Sequence, residues 1–434
     1  MCAAGAMANA GSPDPGLAQG PANSSQASVK PLNTEAKEWS GRSGSSGHPQ
    51  MTAEAIRAAA KDFDKCVQGL WPGADARGVS RDTFDALIEG LKPDLQLLDH
   101  MDAQPEFRMS IWGYLDVFLT KERIDRGREM MTRYRPLLEA IEKTYGVDRH
   151  VVAAIWGVET NYGLEMGNWP VLTSTATLAC IGRRQDYFRN EFIAALAILD
   201  RGDVSRGDFV GSWTGAFGQT QFMPTSLEAF AVDYDRLGRL DIVNSVPNAL
   251  ASTANFLKSR GWALGVPVVV EVVLPKQFDY RINEETTPKA GADWTSLGVV
   301  GGDGKPLANL PDRTSLFVPA GANGPSFLAS ANFRVLLGYN PASAYALAVG
   351  LLADRLRGAD AIHHDWPRGD RVLTDAERLE LQARLVRRGF DIGGQPDGSF
   401  RLGTRRAIRN FQASVGMTAD GYPSPALYDR LGQP

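Results

Sequence analysis

The segment Val151-Val152-Ala153-Ala154-Ile155-Trp156-Gly157-Val158-Glu159 constrains this chain more than any other. Val152, Ile155 and Trp156 fall at the i, i+3 and i+4 positions of one helical face, so the segment reads as a buried helix. Glu159 is the i+7 position of that same face. A carboxylate among apolar side chains loses solvation in its charged form, so its pKa is expected to rise. An acid still protonated near neutral pH can act as a general acid. A buried structural Glu, paired with an Arg or with backbone N–H groups, would look the same in sequence.

The chain has 434 residues, 43% hydrophobic and 22% charged, which fits a soluble protein of more than one domain. Its formal net charge of -4 supplies no basic field, and nucleic acid is not expected as a partner. No uninterrupted apolar stretch is long enough to span a bilayer. Residues 1–51 are rich in Ala, Gly, Ser, Pro and Asn, lack a hydrophobic pattern and are expected to be disordered. The start shows neither a basic n-region nor an apolar h-region. A Cys at position 2 would suit a lipid-anchored, outer-membrane-associated mature N-terminus. It equally suits a chance Cys in a disordered tail. No metal spacing links Cys2, Cys66 and Cys180. Cys66 and Cys180 both read as buried on helices. They either pair in an oxidising compartment or stay reduced as small apolar residues.

Helical periodicity runs, with breaks, from Thr52 to about Trp262, and Thr120 is placed to cap the helix after it. The character changes near Pro267. Val268 to Leu274 is β-branched and bounded by prolines, and Thr314 to Val318 is a second short strand, so a small β insertion is expected at about 266–330. Helix resumes near Ala342 and continues through Leu356. A compact unit follows at 373–434, with helices expected at Asp375–Gly389, Gly403–Gly416 and Pro423–Leu431.

Three blocks carry the chemistry. They are Trp156-Gly157-Val158-Glu159-Thr160-Asn161-Tyr162-Gly163, Gly211-Ser212-Trp213-Thr214-Gly215-Ala216-Phe217-Gly218-Gln219-Thr220-Gln221-Phe222-Met223-Pro224, and Gly338-Tyr339-Asn340-Pro341-Ala342-Ser343-Ala344-Tyr345-Ala346. In this order they resemble the membrane-bound lytic murein transglycosylase B family, from about Phe63 to Leu356. The resemblance implies a mainly α, lysozyme-like α+β catalytic domain over 52–366. It also implies cleavage of the bond between N-acetylmuramic acid and N-acetylglucosamine in peptidoglycan glycan strands, leaving a 1,6-anhydro ring and adding no water. Glu159 would be the single general acid and base, with the substrate's N-acetyl group assisting.

Other roles follow from the same resemblance. Ser212 matches a serine that bonds the acetamido group, and Gln221 a substrate-binding glutamine, though a loop amide satisfying backbone groups reads alike. Tyr339 and Asn340 match a pair beside the carboxyl, Tyr345 a groove tyrosine, and Tyr114 an aromatic platform. Ordinary core packing is the alternative for each tyrosine. Phe217-Gly218-Gln219 and Pro224 read as loop geometry that presents Gln221.

Some members have a calcium loop after the second block. Here Asp233 and Asp235 fit its first two ligand positions, Leu237 replaces the third, and Arg236 and Arg239 add positive charge. The loop fold without a bound metal is expected, and no cofactor. Residues 381–423, with Leu381, Leu385, Ile408 and Phe411 as core, resemble the peptidoglycan-binding domain type 1. The whole is expected to work in the periplasm as a monomer. A water-using muramidase of the lysozyme type and a non-catalytic wall-binding protein are the competing readings.

Overall fold

Helix Arg149–Thr160 begins at Asp148, whose carboxylate accepts the His150 N–H at 2.8 Å. Every residue from Val151 to Val158 is buried, so apolarity extends round the helix and not along one stripe. A helix of that kind belongs in a core. Helices Lys121–Arg133, Arg135–Tyr145, Val246–Ser259 and Ser343–Arg357 pack against it. Each large aliphatic side chain enclosed this way contributes roughly 1.5–3 kcal/mol on leaving water.

The computed structural model describes residues 39–44, 46–101, 109–283, 288–307, 310 and 313–433. Cys2 and the expected tail up to residue 38 lie outside the described residues. The tail expectation fails beyond that point. Trp39 packs against the core, the Ser40 N–H and hydroxyl donate to the Asp99 carboxylate at 2.8 and 2.6 Å, and Met51 is buried. Two anchoring side chains, Trp39 and Met51, outweigh a composition that otherwise favours disorder. Thr52 then caps Ala53–Lys61 by accepting the Ala55 N–H, and Thr120 caps Lys121–Arg133 by accepting the Arg123 N–H. Cys66 and Cys180 form a disulfide across 114 residues, joining helix Phe63–Gln68 to helix Val171–Cys180. Among the described residues no single helix is long and apolar enough to cross a membrane.

Two small sheets interrupt the helices. Strands β1 (Trp169–Pro170) and β2 (Val210–Gly211) pair antiparallel, Trp169 opposite Gly211. The insertion is a four-stranded antiparallel sheet of β3 (Val269–Val273), β4 (Val300–Gly301), β5 (Ser315–Phe317) and β6 (Ser326–Ala329), in the order β4-β3-β6-β5. It has its own core of Val272, Trp294, Val299, Leu316, Val318 and Leu328. Helix resumes at Ala331 and not near Ala342: Ala331–Tyr339 precedes Ser343–Arg357, and the Ser330 hydroxyl starts it by accepting the Asn332 N–H at 3.0 Å.

The C-terminal module is three helices, Asp375–Arg387, Leu402–Ser414 and Pro425–Gly432, around Leu381, Leu385, Ile408 and Phe411. Two buried glutamines hold its Asp-Gly turns. Gln382 Oε1 accepts the Asp397 and Gly398 N–H groups, and Gln412 accepts the Gly421 N–H while donating to Asp420. The module touches the insertion: Asp420 Oδ2 accepts the Ala322 N–H at 2.8 Å beside β6. On the segment leading to it, Arg368 forms a two-pronged pair with Asp116 at 2.7 and 3.0 Å.

Candidate active site

Burial along helix Arg149–Thr160 is interrupted at Glu159, which is half-buried near the C-terminal end between buried Val158 and Thr160. The helix ends at Asn161, whose left-handed backbone turns the chain away. The Tyr345 hydroxyl donates to Glu159 Oε1 at 2.6 Å. Tyr345 is fully buried, so it reaches the carboxylate from inside the core and does not line an open groove. Its ring lies parallel to that of Tyr339, centroids 6.2 Å apart. Tyr339 donates to the Thr220 carbonyl oxygen at 2.6 Å. Burial, and then the charge of Glu159, push both phenols well above the usual tyrosine range. Both therefore keep their protons and remain donors.

The second block folds into one braced loop. Phe217 and Phe222 exchange backbone hydrogen bonds at 2.9 and 3.0 Å, closing a turn in which Gln221 adopts φ +53°. Gln221 Nε2 donates to the Met166 and Gly218 carbonyl oxygens. Its amide nitrogen thus faces backbone, as a loop-satisfying amide does. The buried Gln219 ties this loop to the Glu159 helix. Its Oε1 accepts from Trp156 Nε1 at 2.9 Å, its Nε2 donates to the Val243 carbonyl, and its own carbonyl accepts from the Thr160 hydroxyl at 2.6 Å. Ser212 sits at the loop's start. Its N–H donates to the Ala216 carbonyl, and its hydroxyl accepts the Ala216 N–H at 3.2 Å and lies 2.9 Å from the Thr214 hydroxyl.

Asn340 ends helix Ala331–Tyr339 in an extended conformation, and its Oδ1 accepts the Ala342 N–H at 3.0 Å, which starts the next helix. Tyr114, on helix Ile111–Phe118, is buried with its ring 4.6 Å from Phe118 and within electrostatic reach of Tyr345. Glu159, Tyr339 and Tyr345 therefore come together directly. Ser212 and Gln221 belong to the loop that Gln219 and Thr160 fasten beside them. Sequence reasoning treated Gln219 as scaffolding and did not single out Thr160.

Glu191 shows what a structural buried carboxyl looks like in this protein. It is fully buried, burial raises its pKa, and it accepts both the N–H and the hydroxyl of Thr225 at 2.9 and 2.7 Å. Glu159 differs in retaining an exposed side.

In the loop after the second block, Asp233 accepts the Leu237 and Gly238 N–H groups, and Asp235 accepts the Ser245 hydroxyl at 2.5 Å. Both carboxylates serve the loop's own donors, and Leu237 brings no side-chain oxygen. Among the described residues no group of three or more His, Cys, Asp or Glu side chains is arranged to hold a metal ion.

Residues 62–354 match the transglycosylase SLT domain family, and residues 374–431 match a peptidoglycan binding domain family. The structure of SltB3 from Pseudomonas aeruginosa, solved in complex with NAG-anhNAM-pentapeptide, superposes with a TM-score of 0.82 at 44% identity, covering 86% of this chain and 99% of that one. The calcium complex of Slt35 from Escherichia coli superposes with a TM-score of 0.57 at 26% identity, covering 73% and 95%. Membrane-bound lytic murein transglycosylase B of Escherichia coli is 29% identical over 242 residues. That alignment spans 54% of this chain and 64% of the relative, under two thirds of its length.

Proposed function

The chain belongs to the transglycosylase SLT domain family, and from that premise we propose that it is a lytic murein transglycosylase of peptidoglycan glycan strands. Glu159 is its general acid and base. The protonated carboxyl donates to the glycosidic oxygen between N-acetylmuramic acid and N-acetylglucosamine as the bond to C1 breaks. The substrate's N-acetyl group stabilises the electron-poor C1. The carboxylate then takes the proton of the muramic acid O6 hydroxyl, and O6 closes onto C1. No water enters, and the carboxyl ends the cycle protonated.

One observation carries this reading. A half-buried carboxyl stands near the end of a helix that is buried from Val151 to Val158 and again at Thr160, with the Tyr345 hydroxyl 2.6 Å from Oε1. That bond fixes the rotamer of the acid, which makes Tyr345 a positioning residue. Ser212 is assigned to the acetamido group, Gln221 and Asn340 to the bound saccharide, and Tyr339 and Tyr114 to packing around the site. The complexes of SltB3 with NAG-anhNAM-pentapeptide and NAG-NAM-pentapeptide support the substrate class. The Cys66–Cys180 disulfide supports an oxidising compartment, and with the wall substrate this indicates the periplasm. The catalytic region is assigned to 52–366 and the wall-binding module to 373–434, acting together in a monomer.

The test is Glu159→Gln on purified sacculi. Clearing is expected to fall by about 10²–10⁴-fold, and wild-type products are expected to be one water lighter by mass than hydrolytic muropeptides. Products with reducing ends would establish a muramidase instead, and unchanged clearing a non-catalytic role for Glu159.

A further inference from the structure

The C-terminal module sets two guanidiniums on a single carboxylate, with a third lining the same pocket. Helix Asp375–Arg387 places Glu380, Arg384 and Arg387 at i, i+4 and i+7, on one face, and Arg388 follows at its C-cap. Arg384 Nε and Arg387 Nη2 both donate to Glu380 Oε1, at 2.9 and 2.8 Å. Arg384 also lies 4.4 Å over the Tyr428 ring and donates to the Tyr428 carbonyl. Arg388 lies 5.7 Å over the Phe411 ring and donates to the Gln433 carbonyl. The three groups are oriented by these partners. Each guanidinium carries five N–H donors. Arg384 engages Glu380 and both the carbonyl and the hydroxyl of Tyr428, whereas Arg387 and Arg388 engage one acceptor each and have donors to offer a ligand, and positive charge exceeds negative.

Arg384, Arg387 and Arg388 line a pocket of about 370 Å³ with Leu431 and Gly432. Gly432 borders it, and a Cβ there would stand 2.8 Å from Arg384 Nη1. Leu431 adds an apolar wall. Paired guanidiniums match the two oxygens of a carboxylate, and a short apolar wall suits small side chains next to it.

We infer that this pocket binds the free carboxylate end of a peptidoglycan stem peptide. The inference rests on the wall-directed reading above and names the chemistry its binding module recognises. An uncharged glycan would gain nothing from the excess positive charge, whereas a peptide ending in a carboxylate neutralises it.

The test uses the full chain carrying Glu159→Gln, so that no turnover occurs. A wall pentapeptide with a free C-terminus, and the same peptide ending in a carboxamide, are titrated by calorimetry. The free acid is expected to bind at least about tenfold more tightly than the amide. Arg387→Gln with Arg388→Gln should erase that difference, and the paired lysine variant should restore part of it. Glu380→Gln should tighten binding of the acid, a gain that a damaged fold cannot produce. Equal binding of acid and amide, or an unaltered difference in the double glutamine variant, overturns the inference. Because these titrations draw on no catalysis, their failure alongside anhydro products from the wild type removes this inference alone. Hydrolytic products alongside a bound peptide remove the catalytic reading alone.

Discussion

Tyr345 is where the site can be dissected most cleanly. Phe at this position keeps the ring stacked on Tyr339 and removes the donor to Glu159. The bond holds the acid in one rotamer, so Tyr345→Phe is expected to lower kcat roughly tenfold with KM little changed. Steady-state rates on a soluble glycan check this split. Asp148, at the other end of the same helix, supplies a stability test. Burial opposes its ionisation, but the hydrogen bond from His150 and the charge of Arg357 outweigh this and hold the carboxyl well below the usual range. Its folded pKa lies below its unfolded one, so its contribution is present above about pH 4 and is lost as the pH falls further. Asp148→Asn should cost about 1–2 kcal/mol in urea unfolding at pH 7, and less at pH 3. At this scale the sequence singled out Glu159 as a candidate because one carboxyl in a run of apolar residues breaks a period. It read Gln219 as loop geometry but could not show which groups that amide fastens, since only the folded loop brings Trp156, Thr160 and Val243 against it. Nor could it show that Tyr345 approaches the acid from the core.

Among the elements, the strongest single fastening is covalent. Closing a loop of 114 residues restricts the unfolded chain, and Cys66→Ser with Cys180→Ser is expected to cost about 2–5 kcal/mol. The urea midpoint should fall, and reductant should lower the wild type to match. Periodicity found the long helices because each had to bury a stripe or its whole surface. It found β3 and β5 because β-branched runs between prolines leave few alternatives. Helix Ala331–Tyr339 escaped notice: it is short, ends in Gly338-Tyr339-Asn340, and follows directly on β6. The order of residues 39–44 and 46–51 escaped because two anchoring side chains are invisible in an average over fifty residues.

For the whole molecule, the sequence separated a catalytic region from a binding module but suggested only a loop between them. Residues Trp39–Pro434 form one unit, in which Asp420 accepts the Ala322 N–H and Gly321 lies beneath the module. Gly321 has φ +66°, and a Cβ on it would stand 2.5 Å from Asp420 Oδ2 and 2.7 Å from the Tyr422 Cβ. Gly321→Val should therefore undock the module without touching its own core. Proteolysis between Gly358 and Thr374 is expected to accelerate, and a single thermal transition to divide in two. A module on a loose tether would raise the concentration of substrate near the acid and leave every bond within reach equally open to attack. A docked one works like a pair of calipers. On the proposed activity, the span from foothold to blade is set by folded protein, so the lengths of the fragments shed should be quantised by that span and become ragged once the contact at Gly321 is broken.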